Sequence, residues 1–132
     1  IDLRCEVGQI DGPDDVARAR AERVAERARL VALLVAEGLL DPDAAAVGDP
    51  GDPASYDERA IRAAVHALLR RTPAWLVGIS LDDVLGEAEP VNVPGVGPER
   101  FPVWRRRLAT ELEAIAGDER LDYVLGVERA RP

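Results

Sequence analysis

The chain of 132 residues has no lysine, all 17 of its cations being arginine, and no methionine. It holds one histidine, one cysteine and few aromatic side chains: two Trp, two Tyr and one Phe. Each scarcity excludes something. A lone Cys5 cannot form an internal disulfide, so a reducing, cytoplasmic compartment is the default expectation. Cys5 and His66 cannot build a zinc site of the usual Cys/His kinds within one chain. The sequence offers no metal site, and no metal or organic cofactor is expected. No phosphate-cradling fingerprint is present, because Gly95-Val96-Gly97-Pro98 lacks both a following Lys and a preceding strand. The longest unbroken apolar run, Leu30 to Ala36, falls well short of the ~20 residues that a membrane-spanning helix needs. Nor does a basic-then-apolar leader open the chain. With Ile at position 1, the sequence is expected to be a piece of a longer polypeptide.

What is present points to one folded unit. The chain is 47% hydrophobic and 32% charged, apolar enough to bury surface against the entropy of ordering. Its length suits a single domain. A net charge of -8 and a pI near 4.7 argue against nucleic acid or an anionic membrane as partner.

Helix signals dominate. Residues Ile1 to Gly12 are mixed and predict a loop or short extended piece. Pro13, Asp14 and Asp15 then suit a helix start, where the free amides and the dipole favour anions. Val16, Val24, Ala28, Val31 and Val35 recur on one face up to Glu37, and Gly38 supplies the stop. The interleaved Arg and Glu of this helix predict a solvated face with pairs one turn apart. Residues 39–54, with Asp41-Pro42-Asp43 and Gly48-Asp49-Pro50-Gly51-Asp52-Pro53, predict a flexible acidic loop. Ser55-Tyr56-Asp57-Glu58 has the form of a capping box. The helix it opens carries Ile61, Ala64, Val65, Leu68 and Leu69 as a core stripe and ends before Thr72-Pro73. His66 follows that stripe by one residue, which predicts a place at the helix rim.

The pattern then changes. Trp75-Leu76-Val77-Gly78-Ile79 is a continuous apolar run without helical spacing, and predicts a parallel strand over 75–80 buried on both faces. Asp82 and Asp83 predict a capped helical turn ending at Gly86. Phe101, Trp104, Leu108, Leu112 and Ile115 fit one face of a helix ending at Gly117, and Asp118 caps a last helix with Leu121, Val124 and Leu125 inward. A single strand cannot satisfy its own amides and carbonyls. It must pair with polypeptide outside this chain, or the helices must absorb it. The fold class is therefore helix-rich α/β with four to five helices and one strand, mainly α when seen in isolation.

Chemistry-bearing patterns are scarce, and no catalytic residue is assigned. Arg105-Arg106-Arg107 suits either an anion or, the preferred reading, carboxylates flanking a buried Trp104/Leu108 face. Asp82 is read first as a helix cap.

Three elements nevertheless resemble a known family: Leu81-Asp82-Asp83-Val84-Leu85-Gly86-Glu87, Pro90-Val91-Asn92-Val93-Pro94-Gly95, and Phe101-Pro102-Val103-Trp104-Arg105-Arg106-Arg107-Leu108. They are similar to the C-terminal signature of the 4-α-glucanotransferases (amylomaltases or disproportionating enzymes, glycoside hydrolase family 77). That family reads there as an acidic Leu-x-Asp-Leu-x-Gly turn, then Asn-Leu-Pro-Gly-Thr, then Glu-Tyr-Pro-Asn-Trp-Arg-Arg. Ile1-Asp2-Leu3-Arg4 resembles the segment just past the family's Thr-His-Asp motif. Arg100-Phe101 stands for Glu-Tyr. Val96 replaces the family's Thr and Val103 its Asn, each removing a polar group.

The resemblance implies that residues 1–132 are one C-terminal fragment of a (β/α)8 barrel, with 75–80 as its last strand and Asn92 in the loop facing substrate. It further implies transfer of α-1,4-glucan segments to the 4-hydroxyl of an acceptor sugar by a retaining mechanism. Two carboxylates roughly 5–5.5 Å apart carry such chemistry, and in the family they lie upstream of this chain, so the fragment alone is expected to be inactive. The substrate-binding residues it implies are Asn92, Pro94 and Gly95. The partners it implies are maltooligosaccharide and the rest of the barrel, with self-association of the fragment as a further expectation. Trp104 is assigned to core packing in preference to sugar stacking. The competing reading is a free-standing acidic helical module that binds a basic protein.

Overall fold

In a computed structural model, residues 1–45 and 55–126 are described, Ala44 by its backbone only. Seven helices and no strand occur among them: α1 Asp2–Glu6, α2 Pro13–Ala36, α3 Pro42–Ala45, α4 Glu58–Arg70, α5 Leu81–Leu85, α6 Leu112–Ile115 and α7 Glu119–Leu125. The chain is mainly α.

The long periodic segments fold as their spacing dictates. α2 has Pro13 in its first turn with Asp14 and Asp15, and Gly38 turns the chain out at φ +65°. Only its last turns are buried. Val31 and Leu34 join Leu40 and Ala64 in a first cluster, with Ile61, Val65 and Leu68 packed against it, whereas Val16 and Val24 are half-buried and Ala28 is exposed. The remaining faces carry exposed pairs, Arg18–Asp15 and Arg23–Glu26. α4 packs against α2 on one side and α7 on another. Its capping differs from the expected box: the Asp57 carboxylate accepts from the Ala60 amide at 3.0 Å, and Ser55 lies in the turn before it. A carboxylate is the stronger acceptor at a helix N-terminus.

Several expectations are overturned. Residues 2–6 form α1 instead of a loop, because Leu3 and Val7, one turn apart, cover Phe101 and Val93 in a separate cluster. The stretch expected as loop from 39 begins with Leu39 and Leu40 in the first cluster and continues into α3; residues 46–54 lie outside the described residues. The strand over 75–80 is absent. That segment is irregular and has no bridging partner, with Trp75 103% and Leu76 89% exposed, so burial on both faces is not observed. Only Ile79 reaches a core, and no neighbouring strand exists among the described residues to complete a ladder.

The helix expected over 101–117 shrinks to α6. Trp104 stands at φ +58°, a left-handed backbone that interrupts any right-handed helix. From Arg105 to Thr110 exposure alternates residue by residue, the signature of extended chain. Polar fastening explains the outcome. Arg106 donates to Asp82 at 2.5 Å and lies 3.2 Å from Glu87, while Glu87 accepts from the Ala109 amide at 2.7 Å. Asp82 is thereby occupied, and Ser80, not Asp82, caps α5. α7 is capped by Asp118 as its sequence predicts. Val84, Leu85, Ile115 and Val124 form the cluster beneath.

Candidate functional site

Four prolines at 90, 94, 98 and 102 deny this stretch a helix and leave a loop between α5 and α6. Within it, Pro94 and Gly95 occupy the corners of a β-turn. The Val96 amide donates to the Val93 carbonyl at 3.0 Å, and Gly95 sits at φ +78°. Proline followed by a residue of positive φ is the chemistry of a type II turn. Val93 is buried with Phe101 and Val7, and Val96 packs on that cluster. Gln9 Nε2 donates to the Pro94 carbonyl at 2.6 Å, tying the turn to the segment after α1. Pro94 and Gly95 are thus exposed on a pinned loop, and Asn92 beside them is half-buried. Val96, which stands where the related pattern has Thr, is used for packing.

Trp104 comes to the same place. Its amide donates to the Val91 carbonyl at 2.7 Å, which sets it against the peptide that precedes Asn92. It is 73% exposed, so its assignment to the core is corrected. The left-handed backbone turns it away from the cluster that holds Phe101. The structure therefore brings the Trp104 backbone to the peptide that precedes Asn92, in the same loop as Pro94 and Gly95. A cleft of about 440 Å³ opens on the other side of Phe101, with Glu6, Glu89 and Arg100 at its edge; Asn92 does not line it. A second cleft of about 340 Å³ lies between α2 and α4, where Arg27 stacks over Tyr56 at 5.4 Å.

His66, expected at the rim of α4, is instead 4% exposed. α4 is covered by α2 and α7, and Asp83 of α5 also approaches, its Oδ2 3.8 Å from His66 Nε2. That distance exceeds a hydrogen bond, and the imidazole is closed off from solvent. The sequence does not mark Arg106 and Arg120 as fasteners. Arg120 donates to the Leu85 carbonyl, to Thr110 and to both oxygens of Asp118. The Arg120 side chain and amide hold the Asp118 carboxyl down at about 2, and the hydrogen bond to Asp82 holds the Arg106 guanidinium above its usual value. No local signal distinguishes the middle arginine of three as the inward one. Among the described residues no three His, Cys, Asp or Glu gather as metal ligands, and no helix is long and apolar enough to cross a membrane.

The loop surface can therefore offer hydrogen bonds and an aromatic face to a ligand, and presents no nucleophile beside a base. Comparison with protein-family models, curated proteins and solved structures returns no match for this chain.

Proposed function

We propose that this chain is the C-terminal part of a cytoplasmic 4-α-glucanotransferase of carbohydrate metabolism, which passes α-1,4-glucan segments to the 4-hydroxyl of an acceptor sugar. One observation carries the reading beyond resemblance. The stretch from Pro73 to Ile79 lies outside any helix, has no backbone hydrogen bond among the described residues and leaves Trp75 and Leu76 open to solvent. Unpaired backbone bearing large exposed apolar side chains is what a barrel stave leaves when its neighbours belong to other polypeptide. In this reading Pro94 and Gly95 shape the loop at the substrate end of the barrel, and Asn92 hydrogen-bonds a sugar hydroxyl pair through its amide. The nucleophile and the acid–base carboxylate belong to the remainder of the barrel, so the chain alone is inert.

The experiment is a maltotriose disproportionation assay run with the chain alone and with the chain added to a 4-α-glucanotransferase truncated before its last strand. Activity only in the mixture is the expected result. Glucose release by the isolated chain, or a mixture that stays inactive although the two pieces associate, overturns the reading. A second reading, a free-standing acidic helical module, is favoured by the way α2, α3 and α4 close a core of their own. It predicts a stable monomer that ignores the truncated barrel.

A further inference from the structure

We propose that Trp104 is a binding platform on which one glucosyl ring of an α-1,4-glucan stacks, with the Asn92 amide at its edge. The inference rests on the glucanotransferase reading and adds a ligand-contacting residue to it.

The first observation is a contrast within three residues. Phe101 is 7% exposed and Trp104 73%, although both lie on the apolar stripe that the sequence would bury. An indole is the side chain with most to gain from burial, and its apolar faces are left in water. The second is backbone geometry. Trp104 is the only non-glycine residue with positive φ among the described residues, and L-residues with a bulky side chain are penalised there. Strain of this kind persists only where the surroundings over-determine it, and it clusters at sites of function.

The surroundings do over-determine it. The Trp104 amide is bonded to the Val91 carbonyl, and the Val103 amide to the Phe101 carbonyl at 2.8 Å. Two residues on, Arg106 is anchored between Asp82 and Glu87. The indole is thus exposed on a rigid support, which lowers the entropic cost of ligand contact. The chemistry around it suits a neutral polyhydroxyl ligand. Asn92 makes no side-chain hydrogen bond among the described residues, and its amide can both donate and accept. Arg105 and Arg107 are exposed and form no ion pair among the described residues, leaving planar donors free. A glucose ring offers an apolar C–H face for the indole and hydroxyls at its rim for these groups. Trp75 is more exposed still, at 103%, but its stretch has no backbone hydrogen bond among the described residues, and it is assigned to polypeptide pairing.

The test uses the chain carrying Trp75→Phe, so that Trp104 is the only indole. Maltoheptaose is titrated while tryptophan emission is followed, with binding measured in parallel by calorimetry. The expected result is a saturable change in emission and a loss of affinity of about tenfold or more in Trp104→Ala, the scale on which aromatic contacts act. Trp104→Phe keeps a ring face and retains most of the affinity; an α-1,6-linked oligosaccharide of equal length binds more weakly. Binding of maltoheptaose that leaves emission and the Trp104→Ala affinity unchanged overturns the platform while the glucan reading stands. Absence of any binding at millimolar maltoheptaose also overturns it, and the glucanotransferase reading is then decided by the truncated-barrel assay alone. Circular dichroism of Trp104→Ala confirms that the variant keeps its helices.

Discussion

The two halves of the molecule are held together by different means. From Pro13 to Arg70 two long helices meet along an apolar stripe, and the contacts that matter are Val31, Leu34, Leu40 and Ala64. From Pro73 to Gly126 the helices have at most seven residues. There the apolar cluster of Val84, Leu85, Ile115 and Val124 is bound round by arginines that reach backbone carbonyls and carboxylates: Arg70 to Val124, Arg62 to Asp83, Arg106 to Asp82, Arg120 to Leu85. Short helices cannot present a continuous stripe, so long polar side chains replace it. The exposed Trp75, Leu76 and Trp104 all lie in this second half. Regular packing is concentrated where no ligand is proposed, and irregular, polar-fastened chain where one is.

The largest effect belongs to the first half. Leu34 is fully buried, and Leu34→Ala should cost about 2–5 kcal/mol through lost burial and the cavity left behind. Urea unfolding followed by circular dichroism measures it. Val84, 1% exposed at the centre of the second cluster, loses less volume, and Val84→Ala should cost about 2 kcal/mol. Hydrogen exchange read by segment breaks or sharpens the comparison. If the halves are distinct cooperative units, Val84→Ala speeds exchange in α5 and α7 and leaves α2 protected. Uniform acceleration would mean that the α4–α7 contact fuses them into one.

A smaller effect separates the halves by pH. Asp118 is held at about 2 by Arg120, below the unfolded value of about 3.9. A depressed carboxyl contributes its stability fully above the unfolded value and loses it as pH falls toward the folded one. Between about pH 4 and pH 2, exchange in α7 should therefore rise, and Asp118→Asn should flatten that rise while still capping the helix. A first half that loosens earlier in the same titration would contradict the assignment of this dependence to Arg120.

How much of the fold is legible in the sequence depends on the same division. α2, α4 and α7 can be read because long 3.6-residue periodicity, Gly38 and Asp118 are local signals. The turn at Pro94-Gly95 can be read because proline and positive φ leave few alternatives. The segment 101–111 cannot. Phe101, Trp104, Leu108, Leu112 and Ile115 match a helical stripe, and what defeats it is long-range: Arg106 pairs with Asp82 and Glu87 at the far side of the loop, and Glu87 takes the Ala109 amide. The burial of His66 depends likewise on how α5 and α7 arrive. The apolar run at 75–79 suggests a buried strand, but burial of such a strand depends on a neighbour, and none occurs among the described residues. Of the candidate site, the loop that carries Asn92, Pro94 and Gly95 is legible, whereas the exposure of Trp104 rests on a backbone angle that no local pattern encodes.

That angle gives the smallest and most discriminating prediction. Glycine in the interior of an exposed helix costs about 1 kcal/mol relative to alanine, chiefly through backbone entropy. Leu33 is a half-exposed position of α2, so Leu33→Gly should destabilise by roughly 1 kcal/mol or more. At Trp104 the sign reverses. The left-handed backbone penalises any bulky L-residue, and an indole 73% exposed forfeits little burial when removed. Trp104→Gly should raise stability by up to about 1 kcal/mol, the relieved strain being offset in part by glycine's extra freedom in the unfolded chain. Urea midpoints of the two variants are compared on the same day and buffer. Opposite signs mean that the first half is optimised for packing while the loop carries strain that stability alone does not explain. A Trp104→Gly variant that loses stability as Leu33→Gly does would return the indole to a packing role, and remove the physical reason for expecting a ligand against it.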